Sequence, residues 1–256
     1  INKTQRKDFK RHFITNAFLE LRFPTKKFDW NAIEPTFKQV AATKLGLTVG
    51  HKAFSAQLRV NAPTKGNPNQ SVESYTETIG LIAQDKENNF SIQLQNDRLI
   101  FSTRKYGGFA SFWSQVEKAI ELLKGEFQIG HAVWFGVRKI NDIFVTNETG
   151  IGYIGEGVNR QIFSPIKEGV FEPSAVTRGF NRYELKDGVT NCIVDIQVSK
   201  VSEKDYALKV DLDVNEQSDP VEIDKIKEKI FKLNDKIFEV FVWAVSDDVI
   251  AALEAT

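Results

Sequence analysis

Alternation of apolar and polar residues predicts strands along the first half of the chain. Residues 17–23 place Leu19, Leu21 and Phe23 on one face of a strand that Pro24 ends. Turn-forming residues separate four further alternating runs, at 54–61, 73–83, 89–94 and 99–103. One-sided alternation is typical of an antiparallel sheet with one face toward water. We therefore predict an antiparallel meander in this half.

Apolar residues at helical spacing predict two helices in the same half. The first is expected to be a short helix with Pro35 in its first turn and to end at Gly46, which can adopt the left-handed conformation of a helix end. The second is expected to cover residues 109–124 and to end just before Gly125.

The second half is predicted to follow a similar plan. A strand is expected over residues 132–145, mostly loop over 147–182, and a hairpin of two strands at 191–199 and 206–214. A long helix follows, with Asp219 as its cap, Pro220 at its first position and Glu222 completing a capping box. A short helix over residues 247–254 is expected after it.

Two similar stretches indicate an internal duplication. Phe18-Leu-Glu-Leu-Arg22 and Trp134-Phe-Gly-Val-Arg138 are 116 residues apart, and the same offset places the helix after Phe109 on the final long helix. We therefore predict an α+β fold, with amphipathic helices packed on one face of antiparallel sheet and a duplicated strand-helix-strands-helix unit. Residues 1–130 and 131–256 would be two α+β halves packed as one compact unit.

Composition is that of a soluble globular protein. The 256 residues are 41% hydrophobic and 27% charged, and no apolar run approaches the roughly 20 residues that cross a bilayer. Cys192 is the one cysteine, so no intramolecular disulfide can form, and we expect a cytoplasmic location without membrane association.

The two halves carry opposite charge although the net charge is zero. Residues 1–130 contain 19 Lys and Arg against 12 Asp and Glu, a charge of +7 that residues 131–256 balance with −7. Such a division favours attraction between the halves or between two copies of the chain, and steering of a polyanion to the basic half is the alternative.

The usual catalytic and metal-binding motifs are absent from the sequence. The three histidines lie far from one another and from Cys192, so the common zinc sites do not fit. Cys192 itself alternates with apolar residues, where a reactive thiolate is disfavoured. The stretch Gly150-Ile-Gly152-Tyr-Ile-Gly155 fits a dinucleotide-binding pattern, but no amphipathic helix follows it. We expect no cofactor, no metal site and no catalytic residue.

Asp211 and Asp213 are the residues on which an enzyme could depend. They share one face of a predicted strand with Lys209, and two carboxylates on one face can contribute to a Mg²⁺ site of a hydrolase or nuclease. The outer face of a one-sided sheet has the same pattern. A third acid within about 5 Å in a cleft would favour the metal site.

Arg22 and Arg138 each place a charge in the middle of an apolar strand. Glu20 shares a face with Arg22, and Asp142 shares one with Arg138, so two ion pairs would explain both arginines. An anion site built from both arginines is the alternative. The candidate binding residues are therefore Glu20, Arg22, Arg138 and Asn141.

Short motifs along nearly the whole chain follow the pattern of one family. They are Glu20-Leu-Arg-Phe23, Leu99-Ile-Phe-Ser102, Tyr106-Gly-Gly-Phe109, Gly136-Val-Arg-Lys-Ile-Asn-Asp-Ile143, Asp211-Leu-Asp213 and the aromatic-rich stretch 238–245. With these motifs the chain resembles a sporadically distributed bacterial family of uncharacterised proteins of similar length. Lys139 and Asp142 depart from the Tyr and Arg that are usual there. The resemblance implies no catalytic residue, and the patchy distribution implies a defence or mobile-element context.

We therefore expect a non-enzymatic, cytoplasmic binding or interaction protein. Its expected partner is another protein, which includes a second copy of the chain. A metal-dependent hydrolase or nuclease that uses Asp211 and Asp213 is one alternative. A protein that binds single-stranded nucleic acid is the other, because aromatic and basic residues mix around residues 98–113. The zero net charge of the chain speaks against the nucleic-acid alternative.

Overall fold

In the described residues, nine strands form one antiparallel sheet. The computed structural model describes residues 12–61, 71–145, 177–202 and 205–254. Its strands are β1 (Ile14–Arg22), β2 (Val49–Asn61), β3 (Ser71–Gln84), β4 (Phe90–Gln95), β5 (Arg98–Thr103), β6 (His131–Val145), β7 (Arg178–Asp187), β8 (Thr190–Lys200) and β9 (Tyr206–Glu222). Their spatial order is β2-β3-β4-β5-β1-β6-β9-β8-β7. Both halves of the sequence therefore contribute strands to the same sheet.

Four α-helices accompany the sheet in the described residues. They are α1 (Trp30–Leu45), α2 (Phe109–Phe127), α3 (Ile226–Ala244) and α4 (Asp247–Glu254). The apolar stripes of α2 and α3 are buried together with one row of side chains from each central strand. The predicted α+β class is confirmed, with amphipathic helices packed on one face of an antiparallel sheet. None of these described helices combines the length and apolar character that crossing a membrane requires.

The meander and the hairpin are confirmed. Strands β2 to β5 pair in sequence order, as the alternating runs predict, and β8 pairs with β9. Strand β7 occupies the end of the segment that is predicted as mostly loop. The glycine motif of residues 150–155 lies outside the described residues.

The first helix begins before its predicted start. Asp29 is the cap of α1, because its carboxylate accepts hydrogen bonds from the N–H groups of Asn31 (3.1 Å) and Ala32 (3.2 Å). Pro35 therefore lies inside the helix and beyond its first turn, which corrects the prediction. The predicted end is confirmed, since Gly46 has the left-handed conformation with φ of 69°.

The other two long helices also differ from prediction at one end. Helix α2 continues through Gly125 to the buried Phe127, whose ring packs against Phe28 and Phe37. Strand β9 runs to Glu222, so the predicted capping residues of α3 belong to a strand that still pairs with β6 at His131. A 3₁₀ turn over residues 223–225 leads into the helix. Long-range packing and pairing override the local helix signals at both places.

The register of β1 against β6 is that of two equivalent strands related by a two-fold axis. Glu20 lies opposite Gly136, and these two residues are 116 positions apart in the sequence. The sheet continues as β5-β4-β3 on one side of this pair and as β9-β8-β7 on the other. A duplicated unit would have this arrangement. The duplication itself and the two predicted halves stay predictions.

Candidate functional site

Three of the four predicted binding residues lie on the open face of the sheet, by which we mean the face opposite the helices. Along β1, the buried residues Ala17, Leu19 and Leu21 alternate with partly exposed ones, and Glu20 and Arg22 are among the latter. The predicted ion pair is confirmed, because Arg22 Nε donates to Glu20 Oε1 at 2.6 Å.

Arg138 pairs with a different acid from the predicted one. Its guanidinium makes two hydrogen bonds to Asp211, from Nε to Oδ1 at 2.8 Å and from Nη2 to Oδ2 at 2.6 Å. Asp142 instead accepts a hydrogen bond from Thr15 Oγ1 at 2.8 Å. The predicted pair of Arg138 with Asp142 is wrong, because an acid on the adjacent strand lies closer than one four residues along the same strand. This hydrogen-bonding raises the pKa of Arg138.

The two arginines do not converge on one anion site. In the register of β1 and β6, Phe18 lies opposite Arg138 while Arg22 lies opposite Trp134, so about 13 Å of strand separates the two positions. Each guanidinium also has a carboxylate partner, Glu20 or Asp211. The open face therefore neutralises both arginines within the sheet.

Asp211 forms an ion pair with Arg138, and Asp213 accepts a hydrogen bond from Asn215. Asp213 lies opposite Arg138 across the strands, and Asp195 lies opposite Asp211. Both oxygens of Asp211 accept from Arg138, and Asp195 Oδ2 accepts from Arg182 Nη1 at 2.9 Å. Within the residues that the structure describes, no group of three or more His, Cys, Asp or Glu side chains could hold a metal ion. We therefore do not propose the hydrolase alternative.

Burial shapes the electrostatics of this acidic group. Burial raises the pKa of the Asp213 carboxyl, and the hydrogen bond from Asn215 and the charge of Arg138 oppose that rise. Burial also raises the pKa of Asp195, against the charge of Arg182. Unlike these carboxyls, the thiol of Cys192 is on the helix side of the sheet, where burial raises its pKa to about 11. The prediction that Cys192 lies on an apolar face is confirmed.

Asn141, the fourth predicted binding residue, lies on the helix side of β6. It is buried, and its Nδ2 donates to the carbonyl oxygen of Val210 at 3.1 Å. The structure therefore does not bring Asn141 together with Glu20, Arg22 and Arg138. It places Asn141 in the wall of a cavity instead.

This cavity has a volume of about 380 Å³ and lies between the sheet and three helices. We call it the Lys139 cavity. Its walls come from the start of β1, the start of α2, strands β6 and β9, and helices α3 and α4. Its lining residues include His12, Tyr106, Phe109, Lys139, Leu212 and Ile237.

Lys139 is the unusual residue of this wall. It continues the buried row of Phe135 and Val137 on β6 and is itself only 6% exposed. Its Nζ donates to Asn234 Oδ1 at 2.5 Å. The same nitrogen lies 5.2 Å from the ring centre of Tyr106 and 5.3 Å from that of Phe109, distances typical of cation–π contacts.

Sequence reasoning misses Lys139 and Asn234 as site residues. A signal exists for both, since each is a polar residue at a position whose spacing predicts burial. Lys139 falls on the apolar face of β6, and Asn234 lies between Leu233 and Ile237 on the buried stripe of α3. Polar residues are rarely buried and are then hydrogen-bonded, so a polar residue at a position predicted to be buried indicates a candidate site.

No protein-family model, no curated protein and no solved structure matches the chain. The resemblance to the sporadically distributed bacterial family therefore stays a prediction. The site has to be interpreted from its own geometry.

Proposed function

We propose that this protein is a binding protein whose ligand is a small molecule with an apolar body, held in the Lys139 cavity. The observation that carries the proposal is the cavity itself. Its volume of about 380 Å³ lies within the range of roughly 300–1,000 Å³ that is typical of small-molecule sites. Protein interiors are otherwise packed with few voids larger than one water molecule.

The composition of the wall supports binding over catalysis. Apolar and aromatic side chains dominate the lining, with His12, Tyr106, Lys139 and Asn141 as the residues that carry polar groups. Such a wall, with few polar groups among many apolar ones, is typical of ligand pockets. The described lining residues include no serine, cysteine or carboxylate, and the Lys139 nitrogen is held by Asn234.

The protein partner that we expect from the sequence remains a prediction, and so do the cytoplasmic location and the defence or mobile-element context. The cavity supports a small ligand because its walls enclose a volume, whereas a protein partner would need an extended surface.

Binding of N-phenyl-1-naphthylamine tests the proposal. This neutral dye fluoresces strongly when it leaves water for an apolar site. We expect a saturable signal with one dye bound per chain. The Ile237→Trp variant should lose this signal, because the larger ring fills the cavity from α3.

Lys232→Trp is the matched control, since it adds the same ring on the same helix at an exposed position. It should bind the dye as the natural chain does. The absence of saturable binding to the natural chain would overturn the proposal. Equal dye affinity in the Ile237→Trp variant would overturn it as well.

A further inference from the structure

We infer that the ligand of the Lys139 cavity is a hydroxylated aromatic compound, and that its hydroxyl group donates a hydrogen bond to Asn141 Oδ1. This inference rests on the function proposed above and names the chemical class of the ligand. It is carried by the buried amide of Asn141 in the cavity wall and by the aromatic residues that form much of the remaining wall.

The amide of Asn141 has a fixed orientation. Asn141 is 4% exposed and lies between Lys139 and Ile143 in the buried row of β6. Its Nδ2 donates to the carbonyl oxygen of Val210 at 3.1 Å. A carbonyl oxygen can only accept, so the NH₂ group of the amide is the end that contacts β9. Oδ1 is therefore directed away from that carbonyl.

The amide oxygen of Asn141 accepts no hydrogen bond from the described residues. It is not among the described buried side-chain atoms that are sealed from solvent without a partner. Because Asn141 is nearly inaccessible and lines the cavity, the space that its oxygen meets is the cavity. A buried acceptor without a partner is destabilising, so this oxygen favours a ligand that brings a donor.

An acceptor at this position discriminates between the polar groups that a ligand could carry. A hydroxyl group can donate to Oδ1, whereas an ether, a ketone and an ionised carboxylate have no proton to donate. The partial negative charge of Oδ1 also repels a carboxylate oxygen. An ammonium could donate, but it has to lose its water in an otherwise apolar wall, which is costly. A neutral hydroxyl group avoids that cost.

The rest of the wall favours an aromatic body. Aromatic residues line the cavity from the start of β1, the start of α2 and the side of α3, and they are His12, Phe13, Tyr106, Phe109, Phe238 and Phe241. Rings favour edge-to-face and offset contacts with other rings, and these contacts add to the effect of area burial. The cavity holds roughly a dozen water volumes, which is enough for a two-ring compound.

Displacement of the bound dye by naphthalene derivatives tests the inference. 2-Naphthol carries the hydroxyl donor, 2-methoxynaphthalene replaces its proton with a methyl group, and 2-naphthoate presents an anionic acceptor. We expect 2-naphthol to displace N-phenyl-1-naphthylamine at a concentration about fivefold or more below that of 2-methoxynaphthalene, because only the naphthol can donate to Oδ1. The ether is the more apolar compound and would be the better ligand if area burial alone decided affinity. 2-Naphthoate should compete less well than 2-naphthol.

Asn141→Leu removes the acceptor and keeps the size of the side chain. In this variant 2-naphthol should lose its advantage over 2-methoxynaphthalene, once each displacement is corrected for the dye affinity of the variant. Asn191→Leu makes the same change on the open face, where Asn191 Nδ2 contacts Asn215 Oδ1 at 3.4 Å, and should keep the preference. The comparison of the probes on the natural chain tests the inference even if Asn141→Leu does not fold.

The possible failures are distinguishable. No dye binding to the natural chain overturns the proposed function and the inference together. Dye binding with equal displacement by 2-naphthol and 2-methoxynaphthalene overturns the inference alone. Stronger displacement by 2-naphthoate than by 2-naphthol also overturns it, and so does an unchanged preference for 2-naphthol in a folded Asn141→Leu variant.

Discussion

The guanidinium of Arg22 lies 4.1 Å from the ring centre of Trp134 on the neighbouring strand. Arg138 and Phe18 lie 116 residues after Arg22 and before Trp134 respectively, and the Arg138 guanidinium is 5.9 Å from the ring centre of Phe18. Both pairs flank the contact of Glu20 with Gly136, so an arginine of each strand covers an aromatic ring of the other. The centre of the sheet is therefore held by cation–π contacts on its open face as well as by the apolar core on the other.

Gly136 is required by the position of the Trp134 ring. A Cβ atom at residue 136 would lie 2.6 Å from Cη2 of Trp134 and 3.1 Å from Cβ of Asn215. Since Arg22 covers the ring, the ring cannot move without losing that contact. We expect Gly136→Ala to lower the free energy of unfolding by about 1–3 kcal/mol, measured by urea denaturation.

Gly125→Ala is the control for this prediction. Residue 125 lies inside α2, and nothing lies within 4 Å of a Cβ placed there. The change should raise the free energy of unfolding by about 0.5–1 kcal/mol, since alanine favours the helix. An unfolding midpoint of Gly136→Ala equal to that of the natural chain would contradict our account of Trp134.

The Arg138–Asp211 pair should stabilise the sheet. The side chain of Asp211 is 11% exposed and that of Arg138 is 47% exposed. Arg138→Met leaves a nearly buried carboxylate without its two hydrogen bonds, so we expect a loss of about 1–3 kcal/mol, limited by solvent screening of the exposed arginine.

A double-mutant cycle separates the interaction energy of the pair from the effects of the two single substitutions. Arg138→Met combined with Asp211→Asn should cost less than the sum of the two single changes, because the second change removes the charge that the first leaves unpaired. Urea unfolding of the four proteins measures this coupling. Strict additivity would show that the two side chains do not interact in solution.

The raised pKa of Asp213 predicts how stability depends on pH. The folded protein holds this proton more tightly than the unfolded chain, so ionisation of Asp213 opposes folding. The contribution of Asp213 to stability falls as the pH rises from 3.8, the ordinary pKa of an aspartate, through the higher pKa of the folded state. Burial is the largest cause of the raised pKa. The negative charges of Asp211 and Glu20 raise it further, whereas the positive charge of Arg138 lowers it.

Asp213→Asn tests this linkage, because asparagine keeps an oxygen that can accept from Asn215 Nδ2 (3.2 Å) and carries no charge. The free energy of unfolding of the variant minus that of the natural chain should increase between pH 4 and pH 7. Urea denaturation across this range measures the difference. A difference that decreases with pH would contradict the direction of the shift.

Cys192 should react slowly with thiol reagents in the folded protein. With a pKa of about 11, against 9.0 for the ordinary thiol, about a hundredfold less thiolate is present at pH 8. We expect the reaction with 5,5′-dithiobis(2-nitrobenzoic acid) at pH 8 to be at least about a hundredfold slower than in urea. A native rate equal to that of the unfolded chain would show that the thiol is accessible and ionised.

The local patterns of the chain predict which segments form strands and helices better than they predict where each strand or helix begins and ends. Alternation identifies β1 to β6 and the hairpin of β8 and β9, because a strand in a one-sided sheet buries every second residue. The stripe of α3 is buried as predicted. The predicted start of this helix is wrong because Val221 and Glu222 pair with β6, a contact between residues about 90 positions apart.

In the candidate site, too, local sequence decides some contacts and tertiary structure decides others. The sequence by itself determined that Glu20 and Arg22 share a face, since their spacing on one strand leaves no other arrangement. Only the tertiary structure decided that Arg138 binds Asp211, because that partner depends on the register of β6 against β9. Likewise, Lys139 meets Asn234 only when α3 packs across the sheet. Periodicity reports which face of an element is buried, whereas the neighbour across that face is decided by register and packing between distant segments.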